Sequence, residues 1–196
     1  VIDVYDGALA PGDTVTVVLG DRRGGGPGIQ VQTFREEHCC FRVLVDAFGT
    51  GQYEAVANPP ELRVIGGPAA RLVARAPSEV VAGETFPVTV VAEDAFGNPA
   101  DGYTATVALA CEGAGVTLPA AHTFAPAERG AHRFVGLALA QPGVYRIEAS
   151  EANGVRRAWS NPIICHAAAP AQRLYWGDIH GQTGATVGTG TVEEYL

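Results

Sequence analysis

Apolar residues recur at every second position along most of this chain, and that period of two commits it to half-buried β-strands. In Phe41-Arg-Val-Leu-Val-Asp46, the side chains of Phe41, Val43 and Val45 face one way and those of Arg42 and Asp46 the other. Phe86, Val88, Val90 and Ala92 alternate with Pro87, Thr89 and Glu93, and the pattern returns in Ala105, Val107, Leu109 and Cys111. Tyr145, Ile147 and Ala149 oppose Arg146 and Glu148 in the same way. Alternation of this kind belongs to antiparallel sheets with one face on a core. No stretch before residue 168 carries a 3.6-residue pattern, so this part reads as all-β.

Turn signals separate the strands: Gly97-Asn98-Pro99, Asp101-Gly102, Pro142-Gly143 and Asn153-Gly154, the last being the strongest hairpin signal. Gly and Pro, 25 and 13 residues, are scattered without a three-residue period, which excludes collagen. A boundary falls at Gly66-Gly67-Pro68, giving an N-terminal β-rich module over residues 1–67. Its strands are expected near 13–20, 29–34, 39–46, 52–57 and 61–66, too few for a closed sandwich, so the module is expected to be incomplete. Residues 68–168 hold strands near 71–77, 84–94, 104–111, 121–125, 132–140, 143–150 and 155–165. Seven strands in about 100 residues is the immunoglobulin-like count. The linker Ala167-Ala-Ala-Pro-Ala-Gln172 opens a third segment, 169–196.

The net charge of −8 disfavours nucleic acid and anionic membrane, since both ask for a basic footprint. Neither is therefore expected as a partner, and since no uncharged apolar run approaches the ~18 residues of a membrane span, the chain as given is expected to be soluble. All 13 basic residues are Arg, which rules out a P-loop lysine, a Schiff-base lysine and a Ser-Lys dyad within the chain. There is no Met, so Val1 reads as an internal position and the chain as a fragment. Four cysteines in a chain this long make no disulfide scaffold. The spacing leaves a Cys111–Cys165 bridge, and with it the redox compartment, open.

The middle module carries the first specific resemblance. Glu93-Asp-Ala-Phe-Gly-Asn-Pro-Ala-Asp-Gly-Tyr-Thr-Ala-Thr-Val107 resembles the early strands of bacterial Ig-like repeats of surface and multidomain proteins. Leu118-Pro-Ala-Ala-His-Thr-Phe124, Gly130-Ala-His-Arg-Phe134 and Gly143-Val-Tyr-Arg-Ile147 resemble the later ones, in consistent order over about half the chain. The resemblance implies the fold. For function it implies only a spacer or interaction module, because such sandwiches host many roles.

After the linker the pattern changes, in Leu174-Tyr-Trp-Gly-Asp-Ile-His-Gly-Gln-Thr-Gly184. In an extended segment Asp178, His180 and Gln182 project from one face. A carboxylate and an imidazole so placed can grip one divalent ion. A Gly-rich turn follows, and Thr191-Val-Glu-Glu194 has the form of a capping box opening a helix. Strand, ligand pair, loop and helix start form the opening of an α/β barrel. The expected architecture is therefore all-β, with two consecutive Ig-like β-sandwich modules, followed by the first strand and helix start of a truncated barrel.

These residues resemble the first motif, Asp-x-His-x-His, of the PHP (polymerase and histidinol phosphatase) superfamily of metal-dependent hydrolases. Tyr175-Trp-Gly-Asp-Ile-His-Gly-Gln-Thr183 with Gly188-Thr-Gly-Thr191 is more closely similar to a bacterial PHP-like family of unknown function, whose members carry β-rich regions ahead of the hydrolase domain. The resemblance implies that Asp178 and His180 are metal ligands, with zinc or manganese as the divalent cofactor of the full-length protein. Gln182 stands where the superfamily has its second histidine. A neutral amide is a poor zinc ligand, so either one metal position is lost or Gln182 meets substrate or water. The implied reaction is attack of metal-activated water on a phosphoester or related ester of a small molecule.

A barrel of this kind draws its other ligands from later strands, so the 196-residue chain is expected to be inactive alone and not to hold the ion. Its expected partner is the remainder of its own hydrolase domain, in a bacterium, with the cytoplasm ahead of the periplasm. The competing class is a non-catalytic spacer or binding module for a glycan, a peptide or a neighbouring domain.

Other candidates read as bland. His38-Cys39-Cys40 has no CxxC partner, and alternation aims only His38 and Cys40 the same way. Cys165-His166 ends a strand, and His122 and His132 fall on strand positions of the Ig-like pattern, where a structural role is expected. Gly20-Asp-Arg-Arg-Gly-Gly-Gly-Pro-Gly28 leads into a strand instead of a helix, which favours a hairpin loop over a phosphate site. Ser78, Ser150 and Ser160 stand in no Gly-x-Ser-x-Gly elbow.

Overall fold

A computed structural model describes residues 2, 9–173, 175, 177, 190, 191 and 193. The chain divides into two compact units, Val1–Ile65 and Gly66–Leu196. Between residues 9 and 173 every regular element is a β-strand, apart from one 3₁₀ turn. Among the described residues no helix is long and apolar enough to cross a membrane.

In the first unit, β1 (Glu36–Cys40) pairs antiparallel with β4 (Glu61–Val64), and β2 (Leu44–Val45) with β3 (Glu54–Ala55). The Phe41 N–H donates to the Pro60 carbonyl at 2.8 Å and the Val56 N–H to the Val43 carbonyl at 3.0 Å, so the two ladders form one interrupted hairpin. Its tip is tied by Asp46, whose carboxylate accepts the N–H groups of Phe48, Thr50 and Gly51.

The strands expected at 13–20 and 29–34 do not form: these residues pair with no ladder. Val15, Val17, Val18, Ile29 and Val31 each remain more than half exposed. Alternation encodes a preference for pairing, but a strand exists only once a partner takes up its N–H and C=O groups.

The second unit is an Ig-like β-sandwich. Its strands are β5 (Arg71–Arg75), β6 (Glu79–Val81), β7 (Thr85–Glu93), β8 (Thr106–Ala110), β9 (Val116–Thr117), β10 (His122–Thr123), β11 (Ala131–Leu139), β12 (Gly143–Tyr145), β13 (Glu148–Glu151), β14 (Arg157–Trp159) and β15 (Ile163–His166). One sheet has the order β5-β7-β11-β9, the other β10-β8-β13-β14, and β12-β15-β6 prolongs the second along the same chain runs. The runs 143–151 and 157–166 are joined across their break by the Ile147 N–H to Ser160 Oγ bond, 3.0 Å, and the Ser160 N–H to Ile147 carbonyl bond, 2.8 Å. The strand β6 runs parallel to β15; neither it nor the two-residue β9 stands out in the sequence pattern.

The inward residues are those marked by alternation. Val88, Val90, Ala92, Val107, Ile147 and Ala149 are wholly buried, and Phe86, Phe124, Phe134, Leu137 and Ile163 complete the contact between the sheets. Burying a side chain of this size stabilises by about 1.5–3 kcal/mol, so this layer carries the stability of the unit. Along β11 the alternation changes phase. Register with β7 shifts between Phe134 and Leu137, where Gly136 takes φ +82°, and this bulge keeps both Phe134 and Leu137 on the core side. The Asn153-Gly154 signal does close the β13–β14 hairpin, through Gly154 N–H to the Glu151 carbonyl at 2.9 Å.

Candidate functional site

The residues singled out for a metal, Asp178, His180 and Gln182, lie outside the described residues, as do Gly188 and most of the barrel-opening segment. Among the described residues, the titratable groups close enough to share one ion are His122, Glu128 and His132, whose ligand atoms all fall within 4.8 Å of one another.

Their convergence follows from the local sequence. β10 ends at Thr123 and Phe124 drops into the core at 2% exposure, which turns the chain sharply. Pro126 then opens the 3₁₀ turn Pro126–Glu128, with its fixed φ suited to a first helical position. The Glu128 carboxylate reaches back to accept the Ala125 N–H at 2.7 Å, half of a capping box. This bond fixes the carboxylate at the edge of the sandwich. His122 stands on β10 in one sheet and His132 on β11 in the other, so the carboxylate lies where the two sheets meet.

Both imidazoles turn to it. His122 Nε2 is 3.0 and 2.9 Å from the two Glu128 oxygens, and His132 Nδ1 is 2.6 Å from Oε1. The two rings stack with centroids 3.5 Å apart and planes 10° apart. Phe134 meets the His132 ring edge-on at 4.8 Å, and Phe124 the His122 ring at 5.6 Å. Apolar rings thus wall the inner side. The outer side is open: the side chains of His122, Glu128 and His132 are 32%, 24% and 24% exposed. The Ala125 N–H bond, followed by the His122 contact, holds the Glu128 carboxyl down at about 2, so it is a carboxylate at neutral pH. Two imidazoles and a carboxylate match the preferences of a divalent transition ion.

Sequence reading placed His122 and His132 on strands but gave them no common partner. The signal that finds them is His122-x5-Glu128-x3-His132 with Pro126 between, which sends the chain from one sheet to the other.

The remaining candidates are satisfied locally. His38 Nδ1 contacts Glu61 Oε1, and Cys40 Sγ lies 3.7 Å from Glu61 Oε2, on the face that alternation gave them in common. His166 Nε2 lies 3.1 Å from Glu79 Oε1 beside a cavity of about 210 Å³ that Phe86 and Arg173 also line. All four cysteines are free thiols, and burial pushes those of Cys111 and Cys165 up, away from the thiolate form. The Gly20–Gly28 loop holds Arg23 in a fork on Asp21 at 2.7–3.0 Å, so that guanidinium is already engaged by a carboxylate.

No protein-family model matches the chain. Among curated proteins, the chain is similar to an uncharacterized protein of Chlamydia pneumoniae, with 28% identity over 191 residues that cover 89% of this chain. An uncharacterized protein of Chlamydia muridarum is 29% identical over 207 residues, covering 96% of this chain. Among solved structures, a glycosyl hydrolase family 2 member from Bacteroides cellulosilyticus superposes with a TM-score of 0.44 at 16% identity, over 61% of this chain and 16% of that one. The D00-D0 domain of intimin gives a TM-score of 0.39 at 16% identity, over 55% of this chain and 56% of that one. The chain spans only 28% and 31% of the length of the Chlamydia pneumoniae and Chlamydia muridarum relatives it matches.

Proposed function

We propose that this chain is the N-terminal accessory region of a longer metal-dependent hydrolase of the PHP type. The observation that carries the reading is the stretch Tyr175-Trp-Gly-Asp-Ile-His-Gly-Gln-Thr183, placed directly after an Ig-like sandwich and its Ala-Pro linker. The length of the relatives supports it, since a chain spanning 28–31% of them leaves room for a whole catalytic domain. On this reading Asp178 and His180 are two ligands of a divalent zinc or manganese ion, and Gln182 contacts substrate or a water. Held there, a divalent ion would polarise a water for attack on a small phosphoester. The two β-rich units carry and space that domain, and its remainder is their partner.

The test is made on the whole protein. Hydrolysis of p-nitrophenyl phosphate and its bis-ester is measured with added Mn²⁺ or Zn²⁺, beside the metal content. Activity that falls by two or more orders of magnitude in Asp178→Asn and His180→Ala, with loss of bound metal, supports the reading. Unchanged activity and metal content in both variants overturn it, and the Ig-like unit then stands as a non-catalytic spacer or binding module.

A further inference from the structure

We propose that His122, Glu128 and His132 form a structural zinc site that staples the two sheets of the Ig-like unit together. The site uses neither Asp178 nor His180 and does not depend on the hydrolase reading. Its donors come from the two sides of the sandwich, His122 from β10 and His132 from β11, with Glu128 on the 3₁₀ turn between them. Around a tetrahedral zinc with bonds of about 2.0–2.2 Å, ligand atoms lie about 3.3 Å apart. The nitrogen-to-oxygen separations of 2.6–3.0 Å across His122, Glu128 and His132 are already near that spacing. The stacked rings present their nitrogens side by side, so one ring must tilt to aim both lone pairs at the ion.

The surroundings match a metal site beyond the three donors. The Ala125 N–H fixes one carboxylate oxygen, as an outer-shell donor does for a ligating carboxylate. Phe124 and Phe134 seal the inner side, while His122, about one-third exposed, leaves a path for the ion and a fourth position for water. Imidazole donors favour zinc over magnesium or calcium, which ask for oxygen ligands. An ion bound only by the folded state stabilises it, and here it would hold β10 against β11 at a point where β10 is a two-residue strand.

The experiment uses the 196-residue chain carrying Asp178→Asn and His180→Ala, so that the proposed hydrolase ligands are silent. Zinc is titrated calorimetrically, and thermal unfolding is followed with excess zinc and with EDTA. One equivalent is expected to bind, with the melting temperature raised on the order of 5–10 °C at a hundredfold excess over Kd. His122→Gln and His132→Gln are expected to weaken binding at least 100-fold and abolish the shift, while His38→Gln leaves both unchanged. Melting in EDTA shows that each variant is folded. Cobalt in place of zinc is expected to give the visible band of a four-coordinate ion, lost in His132→Gln. No zinc binding by the background protein, or binding unchanged in both His122→Gln and His132→Gln, overturns the site. Neither result bears on metal binding by Asp178 and His180 in the whole protein.

Discussion

The Asp94 carboxylate accepts the Gly67 N–H at 3.0 Å, which fastens the turn after β7 to the chain entering the Ig-like unit. The same carboxylate accepts the N–H groups of Phe96 and Asn98 and the Asn98 side-chain amide. With the Asn98 amide as the largest cause and the Gly67 N–H next, these donors hold the Asp94 carboxyl far below its ordinary value of 3.8. A depressed folded-state value stabilises the fold at pH above the unfolded value, and the gain fades as acid protonates the group. The wild type is therefore expected to exceed Asp94→Asn in stability by a constant margin at neutral pH. That margin shrinks progressively below pH 3.8, as read from urea denaturation midpoints across pH 2–7. A margin independent of pH removes Asp94 from the acid response.

A second prediction concerns the buried carboxylate of Glu151, whose side chain has no solvent exposure. The Tyr103 hydroxyl donates to it at 2.8 Å and Arg156 Nη1 at 2.9 and 3.2 Å. Hydrogen bonds to charged groups contribute about 1.5–3 kcal/mol, so Tyr103→Phe is expected to cost about 2 kcal/mol. Arg156→Ala strips the carboxylate of its countercharge and is expected to cost about 3 kcal/mol. Burial and the adjacent carboxylate both push the Tyr103 hydroxyl up, well beyond the ordinary tyrosine value, so it stays a donor at alkaline pH. Equilibrium unfolding of the two variants checks the order of the costs. Equal stability of Arg156→Ala and wild type contradicts the account.

The sandwich was legible because its alternation meets partners. Phe86, Val88 and Val90 on β7 and Val107 and Leu109 on β8 point inward as their spacing dictates, and each is buried against the opposite sheet. The same signal misled for Val15, Val17 and Val31, where no partner ladder forms and the side chains stay exposed. Tertiary pairing decides such cases, and a local pattern does not contain it. The repeated Asp46-Ala-Phe-Gly49 and Asp94-Ala-Phe-Gly97 carry a clearer local signal, since both aspartates cap a turn by accepting the N–H two and four residues on. The His122–Glu128–His132 cluster escapes strand alternation for another reason: each histidine looks like an ordinary strand residue until the 3₁₀ turn brings two sheets to one carboxylate. Asp178 and His180 rest on sequence resemblance alone.

The bulge in β11 gives a third prediction. Gly136 adopts φ +82°, and a Cβ there would meet nothing within 4 Å, so only backbone strain opposes a side chain. Forcing an L-residue into that region costs about 1–2 kcal/mol. Gly136→Ala is expected to destabilise by about that amount, and Gly136→Asn by less, because asparagine tolerates the left-handed region better. Thermal unfolding of the pair distinguishes strain from a packing effect: a packing effect would make the larger asparagine the worse variant.

Gly66 poses the opposite case, where space rather than φ is limiting. A Cβ at Gly66 would stand 1.9 Å from the Pro99 carbonyl oxygen and 2.8 Å from its carbon, both backbone atoms that cannot rotate away. The Gly66 N–H also donates to Asp101 Oδ2 at 2.9 Å, and Asp101 Oδ1 accepts from Arg129 Nε at 2.8 Å, so a shift of the segment disturbs that pair as well. Overpacking of a tight site costs about 1–3 kcal/mol, and the approach to backbone places Gly66→Ala at the upper end, about 3 kcal/mol. Gly102 is the control, since a Cβ there meets nothing within 4 Å and its φ is not in the left-handed region. Gly102→Ala is expected to change stability by no more than about 0.5 kcal/mol. Urea denaturation of the two variants side by side reads the contrast. If Gly66→Ala is tolerated as well as Gly102→Ala, the chain at Gly66 does not run against Pro99 in solution.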